Sequence, residues 1–180
     1  MVSKSEQLIL VDEQDNQIGI TEKLSAHQNN QLHRAFSVFI FRQKKDKYEL
    51  LIQQRAWSKY HSPGLWTNTC CSHPRPNENV IAAGERRLLE EFGIHTCLRK
   101  VGSFHYQADF PNGLFENEID HVLIANVAPD VIITPNPNEI HAYRWMDINE
   151  LDQTISNHPE QFTPWLKKAL GIALTSLYAS

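Results

Sequence analysis

Residues 33–42 read His33-Arg34-Ala35-Phe36-Ser37-Val38-Phe39-Ile40-Phe41-Arg42, a run dominated by aromatic and β-branched side chains. Such side chains fit a pleated, packed surface and lose rotamer freedom in a helix, so the run predicts a strand. It stops at the polar cluster Lys44-Lys45-Asp46-Lys47, and strand character resumes over 48–53. The pair reads as a buried hairpin, and the rest of the chain must supply what buries it.

Residues 6–12 and 17–22 read as further strands about an Asp15-Asn16 turn. Strands are also expected over 101–108 and 114–127, flanking Pro111-Asn112-Gly113, and over 139–146 after the rigid stretch with Pro129, Pro135 and Pro137. Helical spacing marks 78–92, with Val80, Ile81, Leu88 and Phe92 on one flank and Gly93 where a C-terminal stop belongs. Gly84 inside that helix costs about 1 kcal/mol relative to alanine, which points to close packing. Asp147 is expected to cap a short helix. Residues 159–177 are expected to be helical, with Trp165, Leu166, Ala169, Leu170 and Ala173 at helical spacing. Between the hairpin and the first helix, 57–77 holds Pro63, Gly64, Pro74 and Pro76 and shows little periodicity. A loop longer than about 12–15 residues in a compact domain is usually functional, and Trp57, Trp66 and two cysteines favour an ordered one. The class is mixed α/β, and with no repeat or linker the 180 residues read as one domain.

Composition excludes several roles. Lys and Arg number 17 against 21 Asp and Glu, a net charge of −4, so a nucleic-acid-coating surface is not expected. No apolar run reaches the roughly 18 residues that would span a bilayer, and the first residues carry no secretory pattern. Three cysteines, two of them the adjacent Cys70 and Cys71, make no disulfide framework and suggest a reducing cytoplasm. The unusual number is 9 histidines.

Glu116 and Glu118 are two apart in an expected strand and so share a face. A bare Glu-x-Glu is usually a solvated edge, but two buried carboxylates need a metal or a shared proton. His33 starts the aromatic strand, His27 lies six residues earlier, and His73 follows Cys71 by two. Three imidazoles and two carboxylates would suit Mn²⁺, Zn²⁺ or Fe²⁺ better than Ca²⁺. His61, His95, His105, His121, His141 and His158 are read as surface or core residues. Cys71, in a polar loop beside His73, is a candidate reactive thiol. Cys70 and Cys97 are read as structural, with Cys97 in a strand past the helix.

In order along the chain, His27, 32–39 (Leu-His-Arg-Ala-Phe-Ser-Val-Phe), 66–74 (Trp-Thr-Asn-Thr-Cys-Cys-Ser-His-Pro) and Glu116-Asn117-Glu118 resemble the type I isopentenyl-diphosphate isomerases. That family belongs to the Nudix superfamily, whose box reads G-x5-E-x7-R-E-U-x-E-E-x-G-U, with U aliphatic. Glu78, Arg86, Leu88, Glu90, Glu91, Gly93 and Ile94 occupy matching positions. Ser72 replaces the first glycine, and Arg87 replaces a glutamate that helps bind the catalytic metal in Nudix hydrolases. The second departure argues against pyrophosphate hydrolysis.

The resemblance implies a Nudix-like mixed sheet packed between helices, with a core over about 31–165. It implies interconversion of isopentenyl and dimethylallyl diphosphate through a tertiary carbocation-like intermediate. Cys71 would be the thiol on one side, and Glu118 with Tyr106 the acid on the other; two such groups need different pKa values. A metal site of His27, His33, His73, Glu116 and Glu118 is implied, holding Mn²⁺, Zn²⁺ or Mg²⁺. Mg²⁺ on Glu91 would bridge to the diphosphate. Lys23, Arg55, Lys59 and Arg87 match diphosphate-contacting positions, and Trp165 matches the aromatic that faces the cation. The expected partner is a small diphosphate, with neither nucleic acid nor membrane, and the expected assembly is a monomer or weak dimer. A Nudix hydrolase and an inactive Nudix-like binding module are the alternatives.

Overall fold

A computed structural model describes residues 6–59 and 61–179. The apolar run forms β3 (His33–Lys44), around which the sheet is assembled. One edge of β3 pairs in parallel with β8 (Phe115–Val127), from His33 opposite Glu118 to Arg42 opposite Val127. Antiparallel to β3 run β4 (Lys47–Arg55), completing the expected hairpin, and the short β6 (Cys70–Ser72). Outer positions go to β1 (Gln7–Val11), β2 (Gln17–Glu22), β5 (Trp66–Thr67), β7 (Arg99–Asp109) and β9 (Ile140–Asp147). A parallel pair at the centre of a mixed sheet requires cover on both faces.

Alternation along the strands supplies two apolar surfaces. Phe36, Val38, Ile40, Leu51 and Leu123 pack with Ala83, Leu88 and Phe92 of α2 (Val80–Phe92). On the opposite face, Phe39, Phe41, Leu50, Ile52, Val122 and Ile124 pack under α3 (Ile148–Asn157) and α4 (Leu166–Tyr178). The fold is thus the expected mixed α/β sheet between helices. Among the described residues no helix is long and apolar enough to cross a membrane.

The middle helix starts two residues later than its pattern suggests, because Asn79 caps it by accepting from the Ile81 amide at 2.8 Å. It ends at Gly93, whose φ of 67° closes the last turn with an N–H to the Leu89 carbonyl. Gly84 does serve close packing: a Cβ there would lie 2.5 Å from Leu123 Cδ1.

Four features differ from the pattern. Residues 57–77 contain β5 and β6, strands too short to show periodicity. A six-residue helix, α1 (Lys23–Gln28), follows β2 directly and is below the length at which helical spacing is readable. Cys97 lies in an irregular, exposed stretch between α2 and β7 instead of a strand. The C-terminal helix begins at Leu166, after a 3-10 turn at Pro159–Gln161 and an extended Phe162 that bridges to Trp66. Pro164 accounts for the break, since a proline pushes the residue before it out of the helical region.

Candidate active site

Register brings the site together. On β8 the side chains of Glu116, Glu118 and Asp120 share one face and are buried or nearly so. Glu118 is the register partner of His33 on β3 and of Tyr106 on β7. Ser37, on the same face of β3 as His33, is the partner of Cys71 on β6. A thiol and a carboxyl therefore approach from strands on opposite edges of β3. They line one cavity of about 1160 Å³, together with Lys23, Arg55, Lys59, His73, Arg87, Glu91, Tyr106, Glu116 and Trp165. His27 and His33 lie beneath, fully buried against the carboxylates.

The histidines are oriented as metal ligands are. His27 Nδ1 donates to the Lys23 carbonyl at 2.6 Å, and His33 Nδ1 to the Gln31 carbonyl at 2.9 Å. In a neutral imidazole this leaves a lone pair on Nε2. Those nitrogens face carboxylates: His27 Nε2 is 3.2 Å from Glu116 Oε1, and His33 Nε2 is 3.3 Å from Glu118 Oε1. His73 Nε2 reaches the same Glu118 oxygen at 3.0 Å. One ligand atom from each of His27, His33, His73 and Glu118 lies within 4.8 Å of the others. Lone pairs converging on carboxylate oxygens repel unless a cation sits among them, so the group fits a divalent metal. Glu116 Oε2, buried and without a hydrogen-bond partner, offers a further ligand atom.

The electrostatics carry the same strain. Burial and then the neighbouring Glu118 charge raise the Glu116 carboxyl to about 7. Burial also opposes Glu118 ionisation, but the His33 and His73 rings beside it overcome this and hold that carboxyl well below its usual range. Asp120, fully desolvated beside Glu118, is pushed well above its usual range. Burial and the nearby carboxylates raise the Tyr106 phenol, whose oxygen has no hydrogen-bond partner among the described residues.

The thiol side is built by hydrogen bonds. Asn68 Nδ2 donates to the carbonyls of Val38 and Cys70, which fixes its oxygen toward the cavity side. That oxygen accepts from Cys71 Sγ at 3.2 Å and from Trp165 Nε1 at 3.3 Å. Ser37 Oγ lies 3.5 Å from Cys71 Sγ while donating to Asp120. Burial, followed by the Asp120 charge, pushes the Cys71 thiol up to about 12. Cys70, one residue away, faces the α2 side of the sheet and is wholly enclosed.

At the other end, the bases are held by acids. Lys23 Nζ meets Glu6 at 2.9 Å, Lys59 Nζ meets Glu139 at 2.6 Å, and Arg87 bridges Glu90, Glu91 and Glu139. Arg55 stands 5.6 Å from the centre of the Trp165 ring. Within the helix motif, Arg86 grips Glu78 through Nε and Nη2 at 2.7 and 2.9 Å, which explains their spacing.

Every residue singled out from the sequence, His27 and His33 included, is brought to this region. The sequence reading missed His61 and Asp120. Asp120 was findable, since it continues the alternation of Glu116 and Glu118. His61 carried no signal; its Nε2 lies 3.1 Å from Glu116 Oε1. It was taken for a surface or core residue.

Known proteins share both the fold and the sequence. The NUDIX domain pattern matches residues 31–166. The isopentenyl-diphosphate Delta-isomerase of Photobacterium profundum is 47% identical over 174 residues, 96% of each chain. That of Serratia proteamaculans is 49% identical over 160 residues, 89% of this chain and 87% of its own. DR0079 from Deinococcus radiodurans superposes with a TM-score of 0.66 at 21% identity, covering 84% of this chain and 90% of its own. A C. elegans Ap4A hydrolase gives 0.60 at 20%, covering 82% and 98%, a likeness of fold alone. The Cys71 thiol, the Glu116–Glu118 pair and the histidine cluster lie in the stretch shared with the isomerases, and the chain belongs to the isopentenyl-diphosphate Delta-isomerase family of NUDIX-domain proteins.

Proposed function

We propose that the chain interconverts isopentenyl and dimethylallyl diphosphate. The observation that carries this reading is the opposed placement of Cys71 and Glu118 on strands flanking β3, in a cavity that Lys23, Arg55, Lys59 and Arg87 also line. The reaction adds a proton at one end of an unactivated alkene and removes one from the carbon on the far side. Glu118, beside Tyr106, serves as the acid; Cys71 serves as the group on the opposite face. The two groups stand in chemically different surroundings, Glu118 among histidines and Cys71 against Ser37 and Asn68. Trp165 faces the carbocation-like intermediate, where exclusion of water strengthens attraction between cation and ring. Asn68 holds the indole and the thiol by one oxygen.

Lys23, Arg55, Lys59 and Arg87 hold the diphosphate, with Lys23, Lys59 and Arg87 leaving or sharing their present carboxylate partners. A divalent ion on His27, His33, His73, Glu116 and Glu118, with Mn²⁺, Zn²⁺ and Mg²⁺ all compatible, would polarise the Glu118 carboxyl. Glu91 would hold Mg²⁺, which would supply positive charge for the diphosphate. The reaction is expected to run in the cytoplasm.

Hydrolysis is disfavoured by Arg87, which occupies the position of a hydrolase metal-binding glutamate and neutralises Glu91 instead. The test uses isopentenyl diphosphate in deuterated water. Deuterium should enter the allylic product with no release of phosphate or pyrophosphate. Phosphate release without isomerisation would sink the proposal.

A further inference from the structure

His61 touches both halves of the site at once. Its Nε2 lies 3.1 Å from Glu116 Oε1, the carboxylate oxygen that also faces His27. Its backbone carbonyl accepts from Arg55 Nη2 at 3.3 Å. The ring is sandwiched, with centroids 5.2 Å from Phe110 at the β7–β8 turn and 6.0 Å from Trp165. The segment it belongs to leaves β4 at Arg55 and returns to β5, and it also carries Lys59. Among the described residues its backbone bonds are Arg55 N to Leu65 O, Gly64 N to Arg55 O, Lys59 N to Ala56 O and Leu65 N to Ser62 O. Side chains that reach outside such a segment add to its order, here Lys59 on Glu139 and His61 on Glu116.

We infer that His61 is a positioning residue that ties the Arg55–Lys59 segment to the metal-binding carboxylate Glu116, so that filling the metal site orders the diphosphate cradle. The inference rests on the proposed metal site and extends it. A metal ion that draws Glu116 into fixed coordination immobilises the acceptor of that contact. The gain passes through His61 to its own backbone and on to Arg55. The coupling needs the ring nitrogen; aromatic packing against Phe110 and Trp165 alone would not transmit it.

The experiment is amide hydrogen exchange of the 56–65 segment, read by mass spectrometry with and without Zn²⁺, with bound zinc measured in parallel. His61→Phe keeps a ring for packing but has no nitrogen, whereas His61→Gln keeps an N–H donor without the ring. In the wild type, Zn²⁺ should slow exchange in the segment about tenfold, the change an ordinary hydrogen bond to a charged group produces. In His61→Phe that slowing should disappear while bound zinc stays stoichiometric, and His61→Gln should restore it. His61→Phe should also raise KM for the diphosphate substrate more than it lowers kcat, because Arg55 loses its support. Wild-type slowing retained in His61→Phe, or absent in His61→Gln, overturns the inference. So does loss of zinc from His61→Phe, which would make His61 a ligand. Wild-type protein that takes up no Zn²⁺ refutes the metal site itself, whereas uptake with no slowing refutes only the coupling.

Discussion

His33 on β3 and Glu118 on β8 are partners in the parallel register, and their side chains meet with Nε2 3.3 Å from Oε1. Removing the imidazole takes away one of the two histidine nitrogens, from His33 and His73, that face this carboxyl. His33→Ala should lower metal affinity by more than the roughly 10–100-fold that loss of an outer partner costs. His121→Ala should keep its metal, because that ring lies on the other face of β8, 2.9 Å from Asp15 Oδ2. Metal content after dialysis distinguishes the two variants; the reverse order would overturn the ligand set.

The adjacent cysteines separate chemistry from packing. Cys71→Ala should abolish isomerisation while bound metal stays stoichiometric. Cys70→Ala should remain active but lose about 1–2 kcal/mol of stability, because it opens a small void in the core beneath α2. Urea midpoints and turnover measured on both proteins decide this. Equal loss of activity in the two would remove Cys71 from its role.

Gly84 sets a second packing test. Alanine would gain about 1 kcal/mol of helix propensity there. Against this, its Cβ would fall 2.5 Å from Leu123 Cδ1 and 2.9 Å from Leu98 Cδ1, and overpacking costs about 1–3 kcal/mol. The net expectation for Gly84→Ala is a lower thermal midpoint with turnover per folded molecule preserved. A raised midpoint would show that the two leucines yield without cost.

The Glu78–Arg86 pair makes stability depend on pH in a defined direction. The hydrogen bond from Arg86 holds the Glu78 carboxyl below its usual range. A depressed carboxyl stabilises the fold above its unfolded pKa, and the benefit fades as pH falls through the lower folded value. Glu78→Gln should cost about 1 kcal/mol at pH 7, solvent screening included. The gap from wild type should narrow below about pH 4. Urea unfolding at pH 7 and below pH 4 measures it, and a constant gap would assign the effect to shape.

Much of this was legible in residue spacing. The β3–β4 hairpin, the Glu116–Glu118 alternation and the helix ending at Gly93 follow from periodicity and backbone preference. The clustered histidines were legible only as a group, because each sits on a different kind of element: His27 on α1, His33 on a core strand, His73 beyond β6. What stayed hidden is long-range. Nothing local to His61 says that the segment after β4 folds back over Glu116 on β8. Likewise the Cys71–Asn68–Trp165 arrangement joins residues 97 apart in sequence at its widest. Cys97 shows the opposite failure, a strand expected where the chain is irregular and exposed.

Strand β8 changes character along one face, from Glu116, Glu118 and Asp120 to Val122 and Ile124. A slip of one residue against β3 would present Asn117, Ile119 and His121 to the cavity and turn Val122 and Ile124 away from α4. The carboxylate cluster and the core would be lost in the same event. Misaligned molecules are therefore unstable ones, with the apolar half of β8 exposed in place of its charged half. Inspection for activity is built into the act of folding.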